Sequence, residues 1–120
     1  MGDFKKLLAY QKAYALAKDI QLSSKNFPPE EKYSLTDQIR RSSRSVCSNL
    51  AEAYRKRRYK AHFSSKLSDA ESENAETSAW LDFSFDLKYL LKELFDDFTF
   101  RNNEVGKLLS YMIDNPDKFL

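Results

Sequence analysis

The sequence is poor in the residues that tight turns, disulfides and metal sites require. Its 120 residues include two glycines, three prolines, one histidine and one cysteine. A β-rich fold needs many more turn residues, so this composition favours helices. The single cysteine, Cys47, excludes an internal disulfide and is typical of a reducing cytoplasm. We interpret it as a small buried apolar residue.

Long hydrophobic segments are also missing. No run of about 18 apolar residues occurs in the sequence, so we expect no membrane span. The first residues, MGDFKKLLAYQ, lack the apolar centre of a secretory signal. We therefore expect a cytoplasmic protein that does not associate with membranes. Its length predicts one domain over residues 1–120.

Charge is distributed unevenly along the chain. Residues 1–60 contain 14 Lys/Arg and 6 Asp/Glu, a net charge of +8, whereas residues 61–120 contain 6 and 12, a net charge of −6. Halves of opposite charge can attract each other within a fold or between subunits. They can also give the molecule one positive face toward a polyanion. Charge alone does not decide between these uses.

Apolar residues recur at helical spacing throughout, which predicts four helices. We expect them at about 3–26, from 34 to near 58, 59–88 and 92–115, the second beginning with a capping box of Ser34 and Asp37. Short connections between them favour antiparallel neighbours, so the predicted fold is an all-α, antiparallel up-down four-helix bundle. The clearest line of core positions is in the third helix: Phe63, Leu67, Ala70, Asn74, Thr77, Leu81 and Ser84.

The second helix contains the basic stretch DQIRRSSRSVCSNLAEAYRKRRYK, residues 37–60. At 100° per residue, four arginines fall on the face opposite the core positions. Such a stripe is most often a solvated face. Arginine nevertheless has a planar fork suited to phosphate, which solvation does not require. The candidate nucleic-acid-binding residues are Arg40, Arg44, Arg55 and Arg58.

The usual catalytic and metal-binding patterns are missing. A di-iron bundle needs paired Glu-x-x-His motifs, and His62 is the only histidine. Two glycines cannot form a Gly-rich phosphate loop. We interpret the acidic run from Asp69 to Glu76 as ion-pairing residues. We therefore expect no enzyme activity, no metal and no cofactor.

Asn49 is a polar residue at a position in the second helix where an apolar one is expected. A buried Asn costs stability but can fix helix register. We predict a buried polar network of Asn49, Glu52 and Glu76 that holds the second and third helices in register. The alternative is a polar pocket for a small ligand.

The third helix has a second apolar side, formed by Trp80, Phe83 and Leu87. A helix with two apolar sides must cover both, and Trp and Phe are enriched at subunit interfaces. We predict an oligomer interface at these three residues. The alternative is that they widen the contact with the core.

Several short motifs extend over nearly the whole chain: Phe27-Pro28, Tyr33-Ser34-Leu35-Thr36, Gln38-Ile39-Arg40-Arg41, Asn49-Leu50-Ala51-Glu52, Glu76-Thr77, Trp80-Leu81 and Val105-Gly106-Lys107-Leu108-Leu109. Together they resemble one known family. The chain is similar to the proteins encoded in 23S ribosomal RNA intervening sequences, although Ala53 stands where that family more often has glycine. The resemblance implies an antiparallel four-helix bundle that assembles into rings of five. It also implies association with RNA or with an RNA-handling protein, because related accessory proteins of diversity-generating retroelements bind RNA and a reverse transcriptase.

Three hypotheses of function follow. The leading one is a non-catalytic homo-oligomer, pentameric by the resemblance, that associates with RNA through a basic face on the second helix. The second is a protein-interaction scaffold that binds no nucleic acid. The third is a bundle that binds a small ligand or catalyses a reaction.

Overall fold

The computed structural model describes residues 3–120 and contains only helices and turns in this part of the chain. The all-α class predicted from the periodicity is confirmed. No helix within this range is both long and apolar enough to cross a bilayer. The helices are α1 (Leu8–Ser23), α2 (Leu35–Arg55), α3 (Lys60–Asp86) and α4 (Lys92–Asp114), and short 3₁₀ turns flank α1, precede α2 and follow α4.

Each helix packs against two neighbours, in the order α1, α2, α3, α4 and back to α1. Between α2 and α3, Ser42 contacts Thr77 whereas Glu52 contacts Lys66. Residue numbers thus rise on one helix as they fall on the other, which is the sign of an antiparallel pair. The predicted up-down four-helix bundle is confirmed, and it measures 44 × 25 × 20 Å.

The first helix begins later than predicted, at Leu8 instead of near residue 3. Asp3 caps a separate 3₁₀ turn, Phe4–Lys6, by accepting a hydrogen bond from the Lys5 backbone N–H (3.0 Å). Leu7 then has an extended backbone (ψ 130°), which interrupts the helical path. Apolar residues keep their helical spacing across Leu7. The periodicity of the sequence therefore could not predict the break in the helix.

The predicted Ser34–Asp37 capping box does not form at the start of α2. Glu31 caps this helix instead, because its Oε1 accepts hydrogen bonds from Ser34 Oγ (2.5 Å) and the Leu35 backbone N–H (3.3 Å). Tyr89 O–H donates to the other carboxylate oxygen (3.0 Å) and so ties the α3–α4 turn to this cap. These three donors favour the ionised carboxylate and lower the pKa of Glu31, with Ser34 making the largest contribution.

The interior consists of two apolar clusters, one toward each end of the bundle. The cluster near the chain termini includes Leu50, Phe63 and Leu109. The other surrounds Ile20 and Leu81. Between them lies a set of buried polar residues that we call the central polar layer: Ser42, Asn74, Thr77 and Asn102.

The central polar layer joins helices through complementary hydrogen bonds. Asn74 Nδ2 donates to the Asn102 backbone oxygen (3.0 Å) and to Asn102 Oδ1 (2.9 Å), and Asn102 Nδ2 donates to the Asn74 backbone oxygen (3.0 Å). Thr77 Oγ1 donates to Ser42 Oγ (2.8 Å). The layer thus joins α3 to both α2 and α4, and its amide donors are satisfied, as buried amides must be.

Gly106 allows α4 to approach α3 closely at this layer. A Cβ at Gly106 would lie 2.8 Å from Asn74 Oδ1, well inside van der Waals contact. Asn74 cannot easily move away, because its amide is held by Asn102. The glycine is therefore explained by packing and not by backbone conformation.

Candidate nucleic-acid interface

Arg40 and Arg44 lie on the side of α2 that faces α1. Arg40 is half-buried, and its Nε donates to Ser24 Oγ (2.7 Å). Arg44 is exposed and donates from Nη2 to the side-chain oxygen of Gln21. Arg40 thus uses one donor to bond the 3₁₀ turn after α1, and Arg44 uses one to bond α1 itself. Their remaining N–H groups have no partner among residues 3–120. The helical wheel predicted that solvent alone surrounds these two arginines. Instead, they lie beside a neighbouring segment of the chain and bond it.

Arg55 and Arg58 lie at the end of the bundle that holds the chain termini. Arg55 is the last residue of α2, and Arg58 lies in the turn before α3. The placement of Arg58 on the α2 face was wrong, because the helix ends three residues earlier. Arg55 is about 16 Å from Arg44 along the helix axis, at about 1.5 Å rise per residue. The four arginines therefore form two separate pairs.

The second arginine pair lines a groove of about 950 Å³, which we call the basic groove. It lies where the α2–α3 turn meets the first 3₁₀ turn and the last residue of the chain. Its lining combines three arginines with three aromatic rings and one acid. The lining residues are Asp3, Phe4, Tyr54, Arg55, Arg57, Arg58, Tyr59 and Leu120.

Arg57 supports this groove structurally. Its guanidinium carbon lies 3.6 Å from the centre of the Tyr54 ring, and its Nε donates to the Tyr54 backbone oxygen (2.9 Å). Nη1 also reaches the Phe119 backbone oxygen (3.5 Å). The helical wheel does not single out Arg57, because at 100° per residue Arg57 falls about 260° from Arg40, on the side of the core positions.

The arginines of α2 and of the turn after it take no part in the ion pairs found within residues 3–120. Glu52 binds Lys66 (2.7 Å), although it lies on α2 itself. Five of the twelve acids in residues 61–120 form ion pairs with described residues, in each case with a cation outside α2. The cations used in all these pairs are Lys12, Lys60, Lys66, Lys92 and Arg101.

The predicted buried network of Asn49, Glu52 and Glu76 does not form. Asn49 is half-buried and donates to the Ser45 backbone oxygen of its own helix (2.9 Å). Glu52 is exposed in its ion pair with Lys66, which lowers the pKa of Glu52. Glu76 is half-buried and accepts a hydrogen bond from Trp80 Nε1 (3.3 Å). The register of α2 and α3 is held instead by Ser42 and Thr77.

Glu73 and Glu76 lie close together on the outer edge of the α2–α3 contact. Partial burial raises the pKa of Glu73, and the neighbouring Glu76 carboxylate raises it further. Arg41 opposes this shift from α2. Within residues 3–120, no three His, Cys, Asp or Glu side chains are close enough to hold a metal ion.

Trp80, Phe83 and Leu87 lie on the outer side of α3. The Trp80 ring is half-buried against the apolar cluster and 5.9 Å from the Phe83 ring, whereas Phe83 and Leu87 are about half exposed. Tyr33, 85% exposed, lines a groove of about 400 Å³ together with Trp80 and Phe83. We call these four residues the apolar ridge. Trp80 packs against the core cluster, as the second interpretation of this side of α3 expects, whereas the oligomer interface stays a prediction.

Cys47 is buried on α2, below a groove that Tyr10, Tyr14 and Arg44 line. Burial raises the pKa of its thiol to about 11, because the interior disfavours the thiolate. At neutral pH the side chain is therefore a thiol with little nucleophilic character.

Two comparisons with known proteins agree with each other. A family model described as 23S rRNA-intervening sequence protein matches residues 5–111. A crystal structure from Bacteroides thetaiotaomicron VPI-5482, described as a protein of unknown function from the S23 ribosomal protein family, superposes with a TM-score of 0.81. The two chains are 29% identical over 89% of this chain and 96% of the other. No curated protein sequence matches this chain at a significant level.

Proposed function

Because this chain belongs to the 23S rRNA-intervening sequence protein family, we propose that it is a non-catalytic, homo-oligomeric adaptor that binds RNA through the arginines of α2 and the following turn. The proposal includes a ring of five subunits. It also includes a cytoplasmic location, where a free thiol such as that of Cys47 stays reduced.

The observation that carries this proposal is that Arg40, Arg44, Arg55 and Arg58 form no ion pair within residues 3–120. If the opposite charges of the two halves of the chain served only contacts within the fold, the arginines of α2 would form ion pairs with the acids of α3 and α4. The ion pairs of residues 3–120 use other cations. Even Glu52, which lies on α2, forms its ion pair with Lys66 of α3. Guanidinium groups without an acidic partner can bind phosphate without first breaking an ion pair.

RNA binding can be tested by fluorescence polarisation at two salt concentrations. Four arginine–phosphate contacts give a log–log salt slope of about −3 on a single strand, and a ring of such faces steepens it. Arg40→Glu with Arg44→Glu should weaken binding to all RNA sequences, since these groups contact the backbone and not the bases. The matched Lys substitutions keep the charge and should cost less. Absence of RNA binding by the wild-type protein even at low salt would refute the proposal.

The apolar ridge supports the assembly part of the proposal. Phe83 is 55% exposed and adjoins Tyr33, which gives the surface aromatic rings of the kind found at interface centres. Sedimentation should detect a multimer, and Phe83→Asp should dissociate it without loss of helicity. Phe83 is a better test than Trp80, because Trp80 also packs against the core. A wild-type monomer at micromolar concentration would contradict this part.

A protein-interaction scaffold is the second candidate, and the same ridge favours it. In that case the ridge binds a different protein and the arginines stay solvated. The two functions differ in the polarisation experiment: the scaffold binds no RNA at about 150 mM salt, where nonspecific charge attraction is already screened.

A further inference from the structure

The two arginine pairs differ in what surrounds them. Arg44 bonds a side chain of α1, and Arg40 bonds a side chain of the 3₁₀ turn that follows α1. Arg55 and Arg58 are exposed and make no hydrogen bond or ion pair with any residue in the range 3–120. The one acid in the basic groove, Asp3, already accepts a hydrogen bond from the Lys5 backbone N–H. The basic groove therefore offers two guanidinium forks that form no ion pair within residues 3–120, next to the single side-chain carboxylate of Asp3.

The same groove offers an aromatic surface. Tyr59 is 58% exposed, and its ring has one aromatic neighbour, His62, at 5.6 Å between centroids. Tyr54, by contrast, has one face covered by the Arg57 guanidinium. The volume of about 950 Å³ lies at the upper end of the range for small-molecule sites and leaves room for a nucleotide. An exposed ring beside free arginines is the combination that binds a base and its phosphate together.

Paired and unpaired nucleic acid differ in their ability to use this surface. Bases in a duplex are stacked on each other and present only their edges. An unpaired base exposes its flat face and can stack on an aromatic ring. A duplex can still contact the arginines through its phosphates.

We infer that the basic groove is a binding site for an unpaired nucleotide of a single-stranded polynucleotide, with the base stacked on Tyr59 and the flanking phosphates held by Arg55 and Arg58. This inference rests on the proposed function and narrows it to unpaired segments. Arg40 and Arg44, on the side of the bundle, contact the backbone farther along the strand.

The test compares probes and variants by fluorescence polarisation. The probes are labelled oligouridylate of about 12 nucleotides, thymidylate of the same length, an oligomer of the same length without bases, and a blunt duplex. Oligouridylate is RNA and thymidylate is DNA, and both present unpaired bases and phosphates. Comparing their affinities shows which of the two nucleic acids the groove prefers. The oligomer without bases has the phosphates but cannot stack.

Tyr59→Ala should weaken binding of oligouridylate by about 5- to 100-fold, the range expected for the loss of one base–aromatic stack. Binding of the duplex and of the oligomer without bases should not change, since no charge is lost. Tyr59→Phe keeps the ring and should bind as the wild type does. Phe100→Ala is the matched control, because the Phe100 ring is also exposed (66%) but lies on α4, outside both the basic groove and the apolar ridge.

The Tyr59→Ala substitution should not disturb the fold. The Tyr59 side chain makes no capping hydrogen bond, and its carbonyl, which accepts from the Phe63 N–H (2.9 Å), is retained in alanine. Circular dichroism checks this directly. Arg55→Gln and Arg58→Gln provide a second, independent set of variants that should weaken binding of every probe.

Each remaining outcome decides between the two proposals. If the arginine variants lose binding but Tyr59→Ala binds oligouridylate as the wild type does, the stacking site is refuted and the proposed function stands. If the wild-type protein binds the duplex as tightly as the single strand, the stacking site is also refuted. If the wild-type protein binds none of the probes, both proposals fail.

Discussion

The central polar layer and the basic groove differ in whether their polar groups are buried and hydrogen-bonded. In the layer, Asn102 is 4% exposed, and it forms complementary hydrogen bonds with Asn74 on the next helix. In the groove, Arg55 and Arg58 are exposed and have no partner within residues 3–120. The layer lies near the middle of α2, α3 and α4, and the groove lies at one end of the bundle.

This difference separates what holds the fold from what remains free to bind. A buried amide without its partner costs about 1–3 kcal/mol, so the layer stabilises the one helix arrangement that satisfies it. Exposed charges contribute little to stability, so their loss should lower mainly the affinity for a ligand. Substitutions in the two regions should therefore affect different measurements.

Asn102→Ala should have the largest effect on stability. It removes the Nδ2 donor and the Oδ1 acceptor that meet Asn74 and leaves a small cavity between α3 and α4. We expect the free energy of unfolding to fall by about 2–3 kcal/mol. Urea denaturation at constant protein concentration measures this change.

Asn49→Ala is the matched control for that substitution. Asn49 bonds only its own helix, and alanine has the higher helix propensity, so stability should change by less than about 0.5 kcal/mol. Equal losses for the two asparagines would contradict the assignment of the central polar layer as the polar element that holds the helices together.

Gly106→Ala should have a smaller effect, about 1 kcal/mol of destabilisation. Alanine gains about 1 kcal/mol in helix propensity, but its Cβ would lie 2.8 Å from Asn74 Oδ1 and force the helices apart. In an Asn74→Ala background the obstacle is gone, and the same change should become stabilising. A double-mutant cycle in urea measures this reversal of sign. Destabilisation in both backgrounds would show that the obstacle is not Asn74.

Arg55→Gln combined with Arg58→Gln should have the smallest effect on folding. Neither side chain has a partner to lose within the described chain, so the urea midpoint should stay at its wild-type value. RNA affinity should fall in the same preparation, as measured by polarisation. A clear loss of stability would mean that these arginines serve the fold, and the comparison of the two regions would fail.

Much of the fold could be predicted because helical spacing reports burial directly. All seven core positions predicted in α3, from Phe63 to Ser84, are buried. The spacing was less complete for α2, because Leu50 is fully buried but lies beside the line of core positions that the spacing predicts. That line is Leu35, Ile39, Ser42, Val46, Asn49 and Ala53. Each helix packs against two neighbours, so its buried face is wider than a single line of positions.

The site was harder to predict because its properties depend on partners from other helices. Asn49, Asn74 and Asn102 all occupy core-like positions in the sequence, yet only the last two face each other. Arg58 was assigned to the basic face of α2 by extending the helix beyond Arg55, where it ends. Tyr59 was not predicted as a site residue, because helical spacing does not distinguish a residue at a turn. A pattern along one helix identifies neither the contacts that another helix supplies nor the groups that meet at a turn.

The complementary amide pair of Asn74 and Asn102 also has a spectroscopic consequence. Side-chain amide protons that face water exchange rapidly, whereas those held in a dry interior exchange only when the structure opens. The Nδ2 protons of these two residues should therefore give separate, slowly exchanging NMR signals. The basic groove is about 20 Å away along α2, at about 1.5 Å per residue. A ligand in the groove should leave these signals in place, and their disappearance would report separation of α3 from α4.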